Sequence, residues 1–162
     1  MLYLYMKMRN ECRIMDQIDH KILRELRRDG RISNVALADR VSLSPSACLR
    51  RVQELERSGV IRGYRVVTSP ERMGRSLSAY VMVGLSSHTK AVQEGFERAM
   101  SVASEVVECH NIAGAFEYIL RVECADLPEY KRFHTEVLGT ASHVNAITSY
   151  IVMDSPKDER AT

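Results

Sequence analysis

ISNVALADRVSLSPSACLRRVQELERSGVIRGY, from Ile32 to Tyr64, decides the fold. It reads as a short helix, a tight turn, a second helix and a strand. Ser33 and Ser44 each stand where a side-chain oxygen can cap the free amides of a helix start. Pro45 after Ser44 fixes where the second helix begins, because the N–H that proline lacks would have no helical partner at that position. Gly59 closes the helix, as a residue able to adopt the left-handed cap conformation.

On the second helix Cys48, Val52 and Leu55 recur at helical spacing, with Leu49 beside them. They are expected to face Leu37, Ala38 and Val41 of the shorter helix, with Leu43 plugging the turn. Ser46, Ala47, Arg50, Arg51, Glu54 and Arg57 are left facing outward. Small residues let the start of a helix sink into a major groove, and arginines behind them can pair with guanine edges or phosphates. The candidate DNA-binding set is therefore Ser44, Pro45, Ser46, Ala47, Arg50, Arg51 and Glu54. The bland alternative is a solvated helix face.

Around this core the chain divides by charge. Residues 15–65 carry eleven Lys+Arg against seven Asp+Glu, and residues 66–162 carry nine against thirteen. A basic half that coincides with the helix-turn-helix pattern suits phosphate binding, and the acidic half is not expected to lie along DNA. No apolar run reaches membrane-spanning length. The start lacks a signal-peptide pattern, so a cytoplasmic protein is expected. Cys12, Cys48, Cys109 and Cys124 have neither zinc-site spacing nor disulfide density and are expected to be reduced.

Residues 1–14 form a leader of unknown role, with Met15 a candidate natural start. Asp16 and Asp19 open a supporting helix with acids in its first turn, and Ile18, Ile22, Leu23 and Leu26 give it an apolar face. VIRGYRVV after Gly59 is expected to be a strand, forming a wing or a tether, paired within the chain or with another subunit. Domain boundaries are placed at 15–65 and 77–154, with a linker at 66–76 and a tail at 155–162.

In the second domain Leu77, Ala79, Val81, Val83 and Leu85 alternate as a strand. Val92, Phe96, Ala99, Met100 and Ala103 mark a helix, and VVECHNIA a second strand. Phe116, Tyr118, Leu120, Val122 and Cys124 share one face of a third strand. Leu127, Tyr130, Phe133, Val137 and Leu138 form another helix, and VNAITSYIVM a last strand. The order βαββαβ is a ferredoxin-like arrangement, so the fold class is α+β, an N-terminal winged helix-turn-helix domain plus a C-terminal ferredoxin-like domain. Both helices cover one sheet face. Tyr80, Met82, Ile119 and Val152 leave the other partly apolar, and a sheet-to-sheet homodimer is the simplest cover.

These residues resemble the Lrp/AsnC family of transcriptional regulators from Asp16 to about Met153. The likeness is carried by Ser44-Pro45, Cys48, Arg51-Val52, Leu55-Glu56 and Gly59-Val60-Ile61, and by ECHNIAGAFEYILRV as the central hairpin of an effector domain. It implies dimers assembling to tetramers or octamers, double-stranded DNA with a palindromic operator as partner, and an amino acid or similar small effector. The family hairpin commonly reads Gly-Asp-x-Asp-Tyr. Here it reads Gly114, Ala115, Phe116, Glu117, Tyr118, so the usual carboxylate at 115 is missing and Glu117 retains a charge. Asn145, Thr148, Ser149 and Tyr150 are expected to form the opposite wall of the effector site.

No catalytic residue, metal site or cofactor is expected. Two alternatives stand beside the regulator: an architectural DNA binder without effector, and an enzyme resembling the sirohaem decarboxylases, for which His110, Arg121 and His134 are the candidate residues.

Overall fold

The computed structural model describes residues 15–158. The leader at 1–14, with Cys12, and the end of the tail lie outside the described residues. The chain forms two compact units that meet in sequence at Val66 and Val67.

Among the described residues the N-terminal unit forms three helices, α1 (Gln17–Arg28), α2 (Asn34–Val41) and α3 (Pro45–Arg57). Each begins on a side-chain cap: Asp16 oxygens accept the Ile18 and Asp19 amides, Ser33 the Ala36 amide and Ser44 the Ala47 amide. Between α2 and α3 the chain turns at Ser42, which takes a left-handed conformation (φ 58°) and lets the Leu43 amide reach the Ala38 carbonyl at 2.9 Å. Gly59 also takes positive φ, at 75°, and ends α3 as expected. Ile22, Leu37, Ala38, Val41, Cys48 and Leu55 are buried together. Leu49 was expected among them and is instead exposed, since one residue past Cys48 the helix has turned it about 100° away from the core.

Within one chain VIRGYRVV forms no strand with Arg31-Ile32 or any other described segment: residues 60–69 have no regular structure. A strand needs a ladder partner, and no strand of the described residues pairs with this segment. Tyr64 is held instead by its hydroxyl donating to Glu56 at 2.8 Å.

The C-terminal unit follows a single 3-10 turn at Glu71–Met73. Its elements are β1 (Leu77–Leu85), α4 (Lys90–Val102), β2 (Val106–Asn111), β3 (Tyr118–Cys124), α5 (Leu127–Arg132) running into a π-helical turn (Phe133–Leu138), and β4 (Val144–Ile151). The strands pair antiparallel in the order β2-β3-β1-β4, the ferredoxin-like order. Ala79, Val81, Val83, Leu120 and Val122 of the sheet share one core with Phe96 and Met100 of α4 and with Tyr130, Phe133 and Leu138 of the last helix, so both helices lie on the same face. Two expected core residues differ. Phe116 lies in the turn ahead of β3, and Leu127, the first residue of α5, is 61% exposed.

On the face away from the helices, Tyr80 stands opposite Arg121 and Tyr150, and Met82 opposite Ile119 and Thr148. Arg121 lies between two carboxylates there, Glu123 at 2.5 Å and Glu108 at 3.6 Å. The open face is thus apolar at Met82 and Ile119 and charged beside them.

Candidate nucleic-acid interface and effector site

The caps place α3 so that its first turn is open. Ser44, Pro45, Ser46 and Arg50 are exposed, and Ala47 and Glu54 are half-buried. The Ser44 and Ser46 hydroxyls lie 3.3 Å apart. Glu54 is engaged along the helix, where Arg57 donates to its two oxygens at 3.0 and 2.7 Å.

Arg51 corrects the sequence reading. It was expected outward beside Arg50, but Nη1 donates to Asp16 Oδ2 and to Asp19 Oδ1, both at 2.8 Å. Asp19 is 2% exposed. The physical reason is helical spacing: Arg51 lies three residues after buried Cys48, on the core side of the helix, and Asp19 of α1 meets it there. The Asp19 amide first, and then the Arg51 guanidinium, hold the Asp16 carboxyl below its ordinary range, and the two carboxylates raise Arg51. Sequence reasoning gave Asp16 and Asp19 a role only in the helix dipole. It missed Asn34 altogether, whose side-chain amide donates to the Pro45 carbonyl at 2.8 Å and ties the start of α3 to α2. The asparagine following a capping serine was the available signal.

In the C-terminal unit the turn between β2 and β3 carries Gly114 and Ala115 exposed, with Phe116 and Glu117 half-buried. The Glu117 backbone is fixed: its amide donates to the Val83 carbonyl at 3.1 Å and its carbonyl accepts from the Ile112 amide at 2.8 Å. Its carboxylate accepts from the Leu85 amide at 2.6 Å, and its second oxygen lies 3.4 Å from His88 Nδ1. Gly84 shapes this corner. A Cβ there would stand 3.0 Å from Asn145 Oδ1, 3.1 Å from Ala146 Cβ and 3.7 Å from Glu117 Oε2. Glu117 and Asn145 therefore converge over Gly84, where the β1–β4 register shifts.

The other three residues of the expected wall do not converge. Thr148 and Tyr150 stand opposite Met82 and Tyr80 on the open face. Ser149 is turned to the helix side, where Tyr130 donates a hydrogen bond to its hydroxyl. Successive strand residues point to opposite faces, so a run of three cannot line one site. His88 and Gly84 were not anticipated, and only the short polar run Ser86-Ser87-His88 after the apolar strand hinted at the former.

A groove of about 630 Å³ lies elsewhere, between α4 and the π-helical turn, lined among others by Val92, Phe96, Ala99, Val137 and His143. None of the expected effector residues lines it. The residues that a tetrapyrrole enzyme would need are also apart. His110 and Arg121 lie on the open face, beside Glu108, whereas His134 lies near Tyr130 in the helical layer, with tilted rings whose centroids are 6.3 Å apart. No helix of the described residues is long and apolar enough to cross a membrane.

Comparison with known proteins agrees with this division of labour. Residues 15–62 match the family model for winged helix-turn-helix DNA-binding, and residues 78–162 that for the Lrp/AsnC ligand binding domain. The leucine-responsive regulatory protein of Escherichia coli K12 is 41% identical over 143 residues, spanning 88% of this chain and 87% of that protein. Among solved structures, a transcriptional regulator from Neisseria meningitidis in complex with L-Met superposes with a TM-score of 0.85 at 33% identity, over 90% of this chain and 94% of that one. A feast or famine regulatory protein from M. tuberculosis, complexed with L-methionine, gives 0.78 at 31% identity over 91% and 97%. With an open-started, serine-capped helix in one unit and a ferredoxin-like ligand-binding fold in the other, the chain belongs to the Lrp/AsnC family of transcriptional regulators.

Proposed function

We propose that this regulator acts in the cytoplasm as a homodimer, or a higher assembly of dimers, that presents two copies of α3 to successive major grooves of a palindromic operator. The observation that carries this reading is the exposed start of α3, where Ser44, Pro45, Ser46 and Arg50 are open while Arg51 is bonded to α1 and Glu54 to Arg57 of the same helix. Arg50 is the base- or phosphate-contacting arginine, and the serine hydroxyls make the closer polar contacts. The open sheet face, with Met82 and Ile119 at its centre, supports pairing with a second copy, which gives the two-fold symmetry a palindrome requires.

The effector is an amino acid or a similar small molecule, and the corner over Gly84 supports its site. Glu117 and Asn145 present oxygen acceptors suited to an ammonium group, and the exposed Gly114–Ala115 turn offers backbone amides to a carboxylate. Two of the related solved structures hold methionine, which makes methionine the first candidate. The separation of His110 and Arg121 from His134 favours a regulator without enzymatic activity.

Selection of genomic fragments by the full-length protein, with and without methionine or leucine, tests the proposal. Arg50→Ala is expected to weaken binding to the selected operator by at least about tenfold, with the oligomer unchanged. Undiminished binding removes Arg50 from the interface. A ligand that binds only the folded protein raises its melting temperature by mass action, so a melting temperature indifferent to saturating amino acids leaves the architectural DNA binder as the better reading.

A further inference from the structure

We infer that Arg51, bridging Asp16 and Asp19, is a positioning residue that sets the angle at which the recognition helix meets the operator without itself touching DNA. The inference rests on α3 being the recognition helix and adds how that helix is aimed. All four oxygens of the two carboxylates are assigned. Asp16 Oδ1 accepts the Ile18 and Asp19 amides at 2.9 Å, and Asp19 Oδ2 accepts the Asp16 amide at 3.2 Å, closing a reciprocal capping box on α1. The opposite oxygens, Asp16 Oδ2 and Asp19 Oδ1, both receive Arg51 Nη1. The first turn of α1 thus pins both carboxylates in place, and the bonds they make to α3 inherit that rigidity.

The apolar contacts of α3 cannot do this alone. Cys48, Val52 and Leu55 pack against the core without directional preference, and they fix how deeply the helix is seated more firmly than how it is rolled. A roll of roughly 10° moves an atom at the helix periphery by about 1 Å, which is enough to spoil a two-bond pairing between a guanidinium and a base edge. Asn34 holds the first residue of the helix, and Arg51 holds it nearly two turns further on. Arg50 is the next residue in sequence, so the clamp fixes the backbone from which the DNA-facing arginine projects.

Asp16→Asn separates aiming from simple charge. Asparagine caps a helix as well as aspartate, so α1 keeps its start through the amide oxygen, while the NH2 that takes the place of Oδ2 is a donor and cannot accept from Arg51, so that bond is lost. Electrostatics alone says that removing a carboxylate from a DNA-binding unit tightens all DNA binding. Loss of aim says that operator binding falls while nonspecific binding does not. The expected result for full-length Asp16→Asn is a drop of about three- to tenfold in the ratio of operator to nonspecific affinity. Arg51→Lys, which keeps the charge but cannot reproduce the guanidinium geometry, is expected to lower the same ratio with the salt slope of operator binding unchanged.

Arg51→Gln adds the decisive control: a salt slope reduced by about one overturns the inference, because it marks Arg51 as a phosphate contact. An unchanged affinity ratio in Asp16→Asn also overturns it. Should Arg51→Lys or Arg51→Gln not fold, Asp16→Asn decides alone, because its replaced side chain is half exposed and its cap is kept. A wild-type protein that prefers no DNA sequence instead refutes the recognition role of α3, which is a separate outcome.

Discussion

Each unit contains an arginine between two carboxylates, and the two sites are built for different ends. Arg51 in the helical unit joins two elements through Asp16 and Asp19, and Asp19 is 2% exposed. Arg121 in the sheet unit joins β3 to β2 through Glu108 and meets Glu123 two residues along its own strand, on the sheet face away from the helices. Among the described residues the helical unit has six buried core residues and the sheet unit thirteen. A small core leaves orientation to directional bonds, whereas a large one sets it by packing. Polar bonds inside the smaller unit link one helix to another, and those on the larger unit lie on the sheet face that is proposed to pair with a second copy.

Breaking the first site should cost the most. Arg51→Ala takes the guanidinium away from the buried Asp19 carboxylate, and loss of one partner of a buried pair costs about 3 kcal/mol or more. Thermal unfolding of the helical unit should shift down accordingly, while Arg50→Ala, on an exposed position one residue away, stays within about 0.5 kcal/mol of wild type. Equal stability of the two variants would show that the Arg51 bonds contribute nothing to the fold.

The second site should behave otherwise. Arg121→Ala removes the guanidinium from between Glu108 and Glu123, and although Glu123 is itself only 9% exposed, the effect that sets this site apart is on the proposed dimer. Its dissociation constant should rise about tenfold, or about 1.4 kcal/mol, when measured by sedimentation. An unchanged constant would place the dimer contact somewhere other than this face.

The same contrast explains what could be read in the sequence. Period-two apolar runs such as Leu77 to Leu85 and the serine caps at Ser33 and Ser44 are local patterns, and they specified strand, helix starts and βαββαβ order. Arg51 and Asp19 are 32 residues apart, and no local pattern says that one guanidinium will turn inward while its neighbour stays out. Leu49 was misread for a related reason: a hydrophobic residue beside a buried one looks like core until the helix angle is counted. VIRGYRVV alternates like a strand, but alternation does not supply a ladder partner. At the proposed effector site the turn containing Gly114 and Glu117 was legible as the connection between β2 and β3. The run Thr148-Ser149-Tyr150 was treated as one wall although a strand sends alternate residues to opposite faces.

A smaller effect sharpens the comparison at the start of the recognition helix. Ser44→Ala removes the oxygen that accepts the Ala47 amide at 3.3 Å and should cost about 1 kcal/mol. Because Ser44 is also exposed on the proposed DNA-facing turn, operator affinity should fall as well, whereas Ser33→Ala, which removes the cap of α2, should lower stability by a similar amount with less loss of operator affinity. Equal affinity losses in the two variants would mean that Ser44 acts only through the cap.

The smallest expected effect is a pH dependence carried by Asp16. Its carboxyl is held below the ordinary value of 3.8, first by the Asp19 amide and then by Arg51. A depressed carboxylate pKa means that the unfolded chain binds the proton more readily than the folded one, so the group stabilises the fold above 3.8 and that contribution is lost as pH falls from there through the lower folded value. The exposure of Asp16 keeps the effect small, because solvent screens the pair. Asp16→Asn should flatten the decline in melting temperature of the helical unit below about pH 4 and leave the profile between pH 5 and 8 parallel to wild type. If the acid decline is as steep in the variant, other carboxylates carry it, and the bond from Asp16 to Arg51 directs the helix without contributing measurably to its stability.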